Sequence, residues 1–160
     1  MMTNTVQITV VNFTAGTISV PQTICEGTAP AAFTAVAPTG DGAFTYQWQD
    51  SPDGTTFTDI AGATLATYAP GILVADTWYK RIVTSTLNAV PCVKETNIIK
   101  VTVNNFIPGS ISADQTICDG SIPAGFISVT PTGDGLFTYQ WQSSADGITF
   151  ADIAGAIFET

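Results

Sequence analysis

The side chains able to do chemistry in this sequence are few, and most of them are acidic. Thirteen Asp and Glu residues stand against four Lys and Arg, and there is no histidine. Without an imidazole, the Ser-His-Asp and Cys-His nucleophilic schemes and His-based metal sites are closed. A carboxylate pair of the kind that hydrolyses glycosidic bonds would have to come from Asp50, Asp53 or Asp59. Each sits at a turn or strand edge, where Asp is expected for backbone reasons. No enzymatic activity is expected. Asp41, Asp50 and Asp53 flank one hairpin and are calcium candidates, because hard cations take oxygen ligands. Their spacing lacks the dense D-x-D-x-D-G pattern of a dedicated loop, and no other metal or cofactor is expected. The Gly-x-Gly of Thr39-Gly40-Asp41-Gly42 has no strand-to-helix context and reads as a turn.

Tyr46, Trp48, Trp78 and Tyr79 form the other chemically distinctive group, and on an open surface they would make a sugar-stacking platform. The elements that must position them argue for a core instead. Phe44, Tyr46 and Trp48 alternate with Thr45, Gln47 and Gln49, the inside-outside pattern of a half-buried strand, which sends Trp48 inward. Adjacent strand residues face opposite ways, so an inward Tyr79 leaves Trp78 as the candidate ligand-contact aromatic. Turn signals at Gly40-Asp41-Gly42, Ser51-Pro52-Asp53-Gly54 and Ala69-Pro70-Gly71 separate the runs TISV, AAFTAVA, AFTYQWQ, TTFTDI, ATLATYA, TWYKRIVTST and NIIKVTV. That gives about seven strands and no helix.

An internal repeat organises the chain. GTISVPQTICEG from Gly16 returns as GSISADQTICDG from Gly109, and PTGDGAFTYQWQ from Pro38 as PTGDGLFTYQWQ from Pro131, both at an offset of 93. Residues 14–67 and 107–160 share 34 identities in 54 ungapped positions, which chance does not produce. Asp53 and Asp59 recur as Asp146 and Asp152. The same offset lays TNTVQITV, from Thr3, on TNIIKVTV, from Thr96, each followed by Asn-Phe. Residues 1–13 are therefore expected to be the closing strand of a preceding repeat plus a connector, 14–106 a complete repeat, and 107–160 the first part of the next. A repeat of this length is one sandwich domain rather than a solenoid unit.

Composition agrees with strands joined by tight turns: 45% hydrophobic residues, 11% charged. Lys80, Arg81, Lys94 and Lys100 are the whole basic inventory against a net charge of -9. Nucleic acid and anionic lipid surfaces are thus poor partners, since both demand clustered cations. No apolar run reaches the ~20 residues of a membrane-spanning helix. The start MMTNTVQITV lacks the regions of a signal peptide, so an export or anchoring signal is expected outside these residues. Asn12-Phe13-Thr14 fits a glycosylation sequon.

Taken together, QTICEG, FTYQWQDSPDGTTFTDIAGAT, TWYKRIVTST and CVKETNIIKVTV resemble the immunoglobulin-like tandem repeats of very large surface proteins in gliding and related Bacteroidota, including adhesins exported by the type IX route. The resemblance covers the whole chain and implies an all-β, immunoglobulin-like β-sandwich. Antibody-type domains carry a Cys two residues after the tyrosine-corner Tyr, whereas Tyr79 is followed there by Arg81. In this reading Cys25 bonds Cys92, tying the region before the second strand to the hairpin entering the last. Closing that long loop adds roughly 3–5 kcal/mol by chain entropy. Cys118, the counterpart of Cys25, is expected to be unpaired. Disulfides of this kind imply an oxidising compartment, here the extracellular surface. The expected function is a stalk or filament repeat of a secreted adhesin, serving surface attachment or gliding, with neighbouring repeats as its partners. Two alternatives are a glycan-binding module and a self-assembling subunit whose strand at Thr3–Val10 adds to another copy.

Overall fold

The computed structural model describes residues 4, 6–112 and 114–159. They form an all-β, immunoglobulin-like sandwich, with no helix among them, and the chain divides into two compact units, Met1–Val103 and Asn104–Thr160.

Two long strands organise the first unit. β4 (Ala43–Ser51) and β6 (Thr77–Leu87) pair antiparallel from Ala43 opposite Thr86 to Ser51 opposite Trp78. β6 turns back into β7 (Val90–Glu95), and past Thr96 the chain rejoins β6 as β8 (Ile99–Asn104). β7 takes the C-terminal half of β6 and β8 its N-terminal end, where Ile99 faces Tyr79. β2 (Gln22–Cys25) lies beside β8, and β5 (Thr58–Asp59) closes the other edge beside β4. The facing layer is sparser. β1 (Phe13–Thr14) pairs with β3 (Thr39–Gly40), and single bridges join Ile18 to Ala35 and Phe33 to Tyr68. The runs TISV, AAFTAVA and ATLATYA were expected as strands and contribute bridges rather than ladders. Pro21, Pro30, Pro38 and Pro70, lacking an N–H, punctuate this layer and interrupt regular pairing.

Strict alternation puts the long strands to work on the core. Along β6, Tyr79, Arg81, Val83 and Ser85 are buried while Trp78, Lys80, Ile82 and Thr84 are half-exposed. Trp48, Phe33, Tyr79, Ile18, Ile99 and Val101 make the main cluster, and the Trp48 Nε1–H donates to the Leu65 carbonyl at 2.9 Å. Phe13, Ala15 and Val83 make a second, joined by Phe44, Tyr46 and Cys92.

The tip between β6 and β7 holds Asn88 and Ala89 at φ of 49° and 64°. This is the left-handed conformation of a two-residue hairpin, which costs Asn less than Ala. Ala89→Gly should therefore stabilise the unit by about 1 kcal/mol, seen as a higher urea midpoint at unchanged slope.

In the second unit β9 (Phe106–Ile107) pairs with β12 (Thr132–Gly133), β10 (Ser110–Ser112) with β11 (Ile127–Val129), and β13 (Gln142–Ser143) with β14 (Ala151–Asp152). Local geometry repeats closely: Trp141 Nε1–H donates to the Phe158 carbonyl at 2.9 Å, and its ring stacks on Phe126 at 5.8 Å. Burial does not repeat. Phe126, Ile111 and Phe106 are exposed where Phe33, Ile18 and Phe13 are buried. No counterpart of β6, β7 or β8 exists among the described residues of this unit.

The strand expected at Thr3–Val10 differs in the same way. Residues 6–10 have no ladder, and Thr3 and Thr5 lie outside the described residues. Val6, Ile8 and Val10 are 84%, 85% and 66% exposed, while their repeat equivalents Ile99, Val101 and Val103 are 2%, 0% and 3% exposed. A strand is defined by its neighbours: β8 is ordered between β2 and β6, and residues 6–10 have no such pair.

Candidate functional site

The calcium candidates Asp41, Asp50 and Asp53 do not converge. Asp41 and Asp53 lie at opposite ends of β4, whose nine extended residues span about 27 Å. Among the described residues no group of three or more acidic, Cys or His side chains could hold a metal ion. Each carboxylate serves its own neighbourhood instead. Asp41 accepts the Asn12 N–H at 3.1 Å and Asp50 the Thr58 hydroxyl at 3.2 Å. Of the carboxylates Asp50, Asp53 and Asp59, the register separates the first and the last. Asp59 sits opposite Gln49 and Asp50 opposite Thr58, so Asp50 and Asp59 point to opposite faces of the sheet.

Asp53 is a turn anchor. Its Oδ1 accepts the N–H groups of Thr55 and Thr56 and the Ser51 hydroxyl, each at 2.8 Å. Asp146 repeats the arrangement with Ile148, Thr149 and Ser144. Backbone donation, from Thr56 foremost, holds the Asp53 carboxyl far below the usual carboxylate range. A depressed folded pKa gives stability that is complete above the unfolded value of ~3.9 and is lost as pH falls toward the folded one. Unfolding titrations from neutral pH downward should show the wild type losing stability below about pH 4, with a flatter curve for Asp53→Ala.

Trp78 stands on the outward face between Ser51 of β4 and Lys100 of β8. From the β4 side Gly54, at φ +73°, leans on the indole so closely that a Cβ there would stand 3.1 Å from Nε1. From the β8 side the Lys100 ammonium lies 4.9 Å from the ring centroid and pairs with Asp76 at 2.6 Å. Lys100 in turn holds the Asp76 carboxyl below its ordinary pKa. Nearby, Lys80 sits over the Phe57 ring at 4.5 Å and pairs with Glu95 at 2.7 Å. Trp78 is thus half-buried in a packed outward patch, flanked on both sides along the sheet.

The expected Cys25–Cys92 bond is corrected by the register. Both are free thiols, Cys25 exposed and Cys92 half-buried. Cys92 faces Ser85 on β6, whereas Cys25 belongs to β2, beside β8, which meets β6 only from Tyr79 to Thr77. Six residues of extended chain, about 20 Å, separate those levels, and a disulfide needs Cα atoms within about 7 Å. In the fold, β7 and β8 share one side of β6 at its two ends. Cys118 is an exposed free thiol.

Two constellations were missed. The first is a reciprocal exchange: the Asn12 N–H donates to the Asp41 carboxylate, and the Asp41 N–H donates to the Asn12 carbonyl at 2.9 Å. Asn105 and Asp134 repeat it at 3.1 and 2.8 Å. Gly40, at φ +124°, makes room for it, since a Cβ there would strike the Asn12 carbonyl oxygen and Phe13. The signal was present, because Asn-Phe and TGDG recur at one offset. The second is Arg81, fully buried, with its guanidinium 4.6 Å from the Tyr46 ring and 5.8 Å from that of Trp48. Its position two residues after Tyr79 placed it on the inward phase of β6 from the start.

Comparison with known families follows the same division. The family described as Domain of unknown function (DUF8696) matches residues 14–105 and again 107–160. The chain belongs to this family. No curated protein and no solved structure matches it. Both DUF8696 segments carry the Ser-Asp turn, at Ser51–Asp53 and Ser144–Asp146. The first also carries β6, β7 and β8, and with them Trp78, Arg81 and Cys92.

Proposed function

We propose that this chain is a non-catalytic structural repeat of a secreted cell-surface adhesin, a stalk that carries other domains away from the cell. The observation that carries this reading is the connector. β8 ends at Asn104 and β9 begins at Phe106, so one residue separates the last strand of one repeat from the first of the next. That residue, Asn105, is itself bonded to Asp134. Tandem repeats joined by so short a connector add reach with each copy, which is what a spacer needs.

Electrostatics supports the same reading. Lys80 and Lys100 are paired with carboxylates, Lys94 donates to the Phe13 carbonyl, and Arg81 is buried, which leaves no basic patch for a phosphate backbone or anionic lipid. Gliding and type IX export rest on the sequence resemblance alone. Ligand recognition is the competing reading, favoured by the outward group of Trp78, Phe57, Lys80 and Lys100. Glycan-array and cell-surface binding by the chain separates the two. A spacer repeat shows no specific binding while folded. Specific binding abolished by Trp78→Ala, with the fold intact, would move the function to glycan recognition.

A further inference from the structure

If the repeat is a stalk, its ends are where tension enters, and the first unit holds its N-terminal segment in a distinctive way. Three side chains from the C-terminal half reach across to that segment's backbone. Lys94 Nζ donates to the Phe13 carbonyl at 2.5 Å and lies 4.9 Å from the Phe13 ring centroid. Arg81 donates through the core to the Ala15 carbonyl at 3.3 Å. Asn97 clasps Ile18 in both directions, its carboxamide oxygen accepting the Ile18 N–H at 2.8 Å and its nitrogen donating to the Ile18 carbonyl at 3.2 Å. Immediately beyond, β2 pairs with β8.

The order of these contacts fixes their mechanical sense. Phe13 meets Lys94, Ile18 meets Asn97, and residues 22–25 lie beside 99–104, so both segments advance in the same direction. The chain therefore enters this unit at one end of the paired segments and leaves at the other. Tension between entry and exit slides one segment along the other and loads all the contacts together, whereas an antiparallel pairing would open one contact at a time. Side chains supply bonds here where the irregular stretch from Ala15 to Pro21 has few ladder bonds of its own.

We infer that Lys94, Arg81 and Asn97 form a shear clamp that sets the resistance of the complete repeat to tension along the chain. This rests on the stalk reading and adds to it a device that resists tension. The clamp acts on the rate of forced unfolding, a kinetic property distinct from equilibrium stability.

The test is single-molecule force spectroscopy on the full chain held by handles at its two ends, with urea unfolding run in parallel. Unfolding of the first unit is recognised by an extension on the order of 300 Å, the length of its roughly 90 residues drawn out. Asn97→Ala is compared with Gln47→Ala, which also removes two side-chain hydrogen bonds, both donated by its carboxamide nitrogen to the Trp48 and Ile60 carbonyls, but away from the clamp. Asn97→Ala is expected to raise the unfolding rate at constant force about tenfold, and Gln47→Ala less than about twofold, at similar urea midpoints. A rate for Asn97→Ala within twofold of wild type, or equal acceleration by both variants, would overturn the clamp. Lys94→Met gives the same reading should Asn97→Ala not fold. A glycan-binding repeat would fail the binding test above yet still show the clamp, and a spacer without a clamp would pass that test and fail this one.

Discussion

Arg81→Ala should lower the stability of the complete repeat by about 3–5 kcal/mol, measured by urea unfolding followed through tryptophan fluorescence. The side chain has no exposed surface, and it is an unusual occupant of a sandwich core because, among the described residues, no carboxylate pairs with it. Two carbonyls do: that of Ala66, 2.6 Å from one terminal nitrogen, and that of Ala15, 3.3 Å from the other, while Tyr46 presents its ring at 4.6 Å. Burial pulls the guanidinium pKa down and Tyr46 pushes it back, and the buried Nε has no hydrogen-bond partner. Truncation strands the carbonyl of the buried Ala15, leaves that of the exposed Ala66 to water, and opens a void beside Trp48. Arg81→Met separates these effects. It fills most of the volume and leaves chiefly the unpaired Ala15 carbonyl, so it should cost about 1–3 kcal/mol. A Met variant as stable as the wild type would mean that desolvating the guanidinium cancels everything its bonds return. An Ala variant within 1 kcal/mol of wild type would remove Arg81 from any account of the core.

What the sequence made legible was whatever depends on period and turn chemistry. Alternation along Phe44, Tyr46 and Trp48 located the inward face, and the Ser51-Pro52-Asp53-Gly54 turn carried its own anchor in its residue types. Long-range placement was not legible. Cys25 and Cys92 looked like partners because both flank terminal strands, and only the register of β7 and β8 along β6 shows them at different levels of the sheet. Asp41 and Asp53 flanked the same strand in sequence, but an extended strand keeps its two ends apart. Arg81 is the instructive middle case. Its phase was readable, yet its charge argued for the surface, and the acceptors that allow it inside are the Ala15 and Ala66 carbonyls, groups that a sequence does not advertise. The Asn97 clasp on Ile18 was hidden for the same reason: backbone acceptors and donors exist everywhere, and the fold decides which are within reach.

The two copies of one motif allow the contribution of burial to be separated from that of local geometry. Trp48 and Trp141 have matching indole hydrogen bonds, to Leu65 and Phe158, and matching aromatic neighbours, Phe33 and Phe126, each with ring centroids 5.8 Å apart. They differ in cover: Trp48 is fully buried beneath Tyr79, Ile99 and Val101, and Trp141 is partly exposed, with no such strands over it among the described residues. Trp48→Ala should therefore cost about 3–5 kcal/mol, while Trp141→Ala should cost less than about 1 kcal/mol. Trp48→Phe, which keeps most of the volume and loses the bond to Leu65, should fall between them at about 1–2 kcal/mol. Hydrogen exchange resolved by residue reads each unit in its own amides, so the two substitutions can be compared within one chain. Equal losses for Trp48→Ala and Trp141→Ala would mean that the local hairpin and its indole bond carry the energy. The expected asymmetry instead assigns it to the long strands β6 and β8, which turn the same local geometry into a closed core.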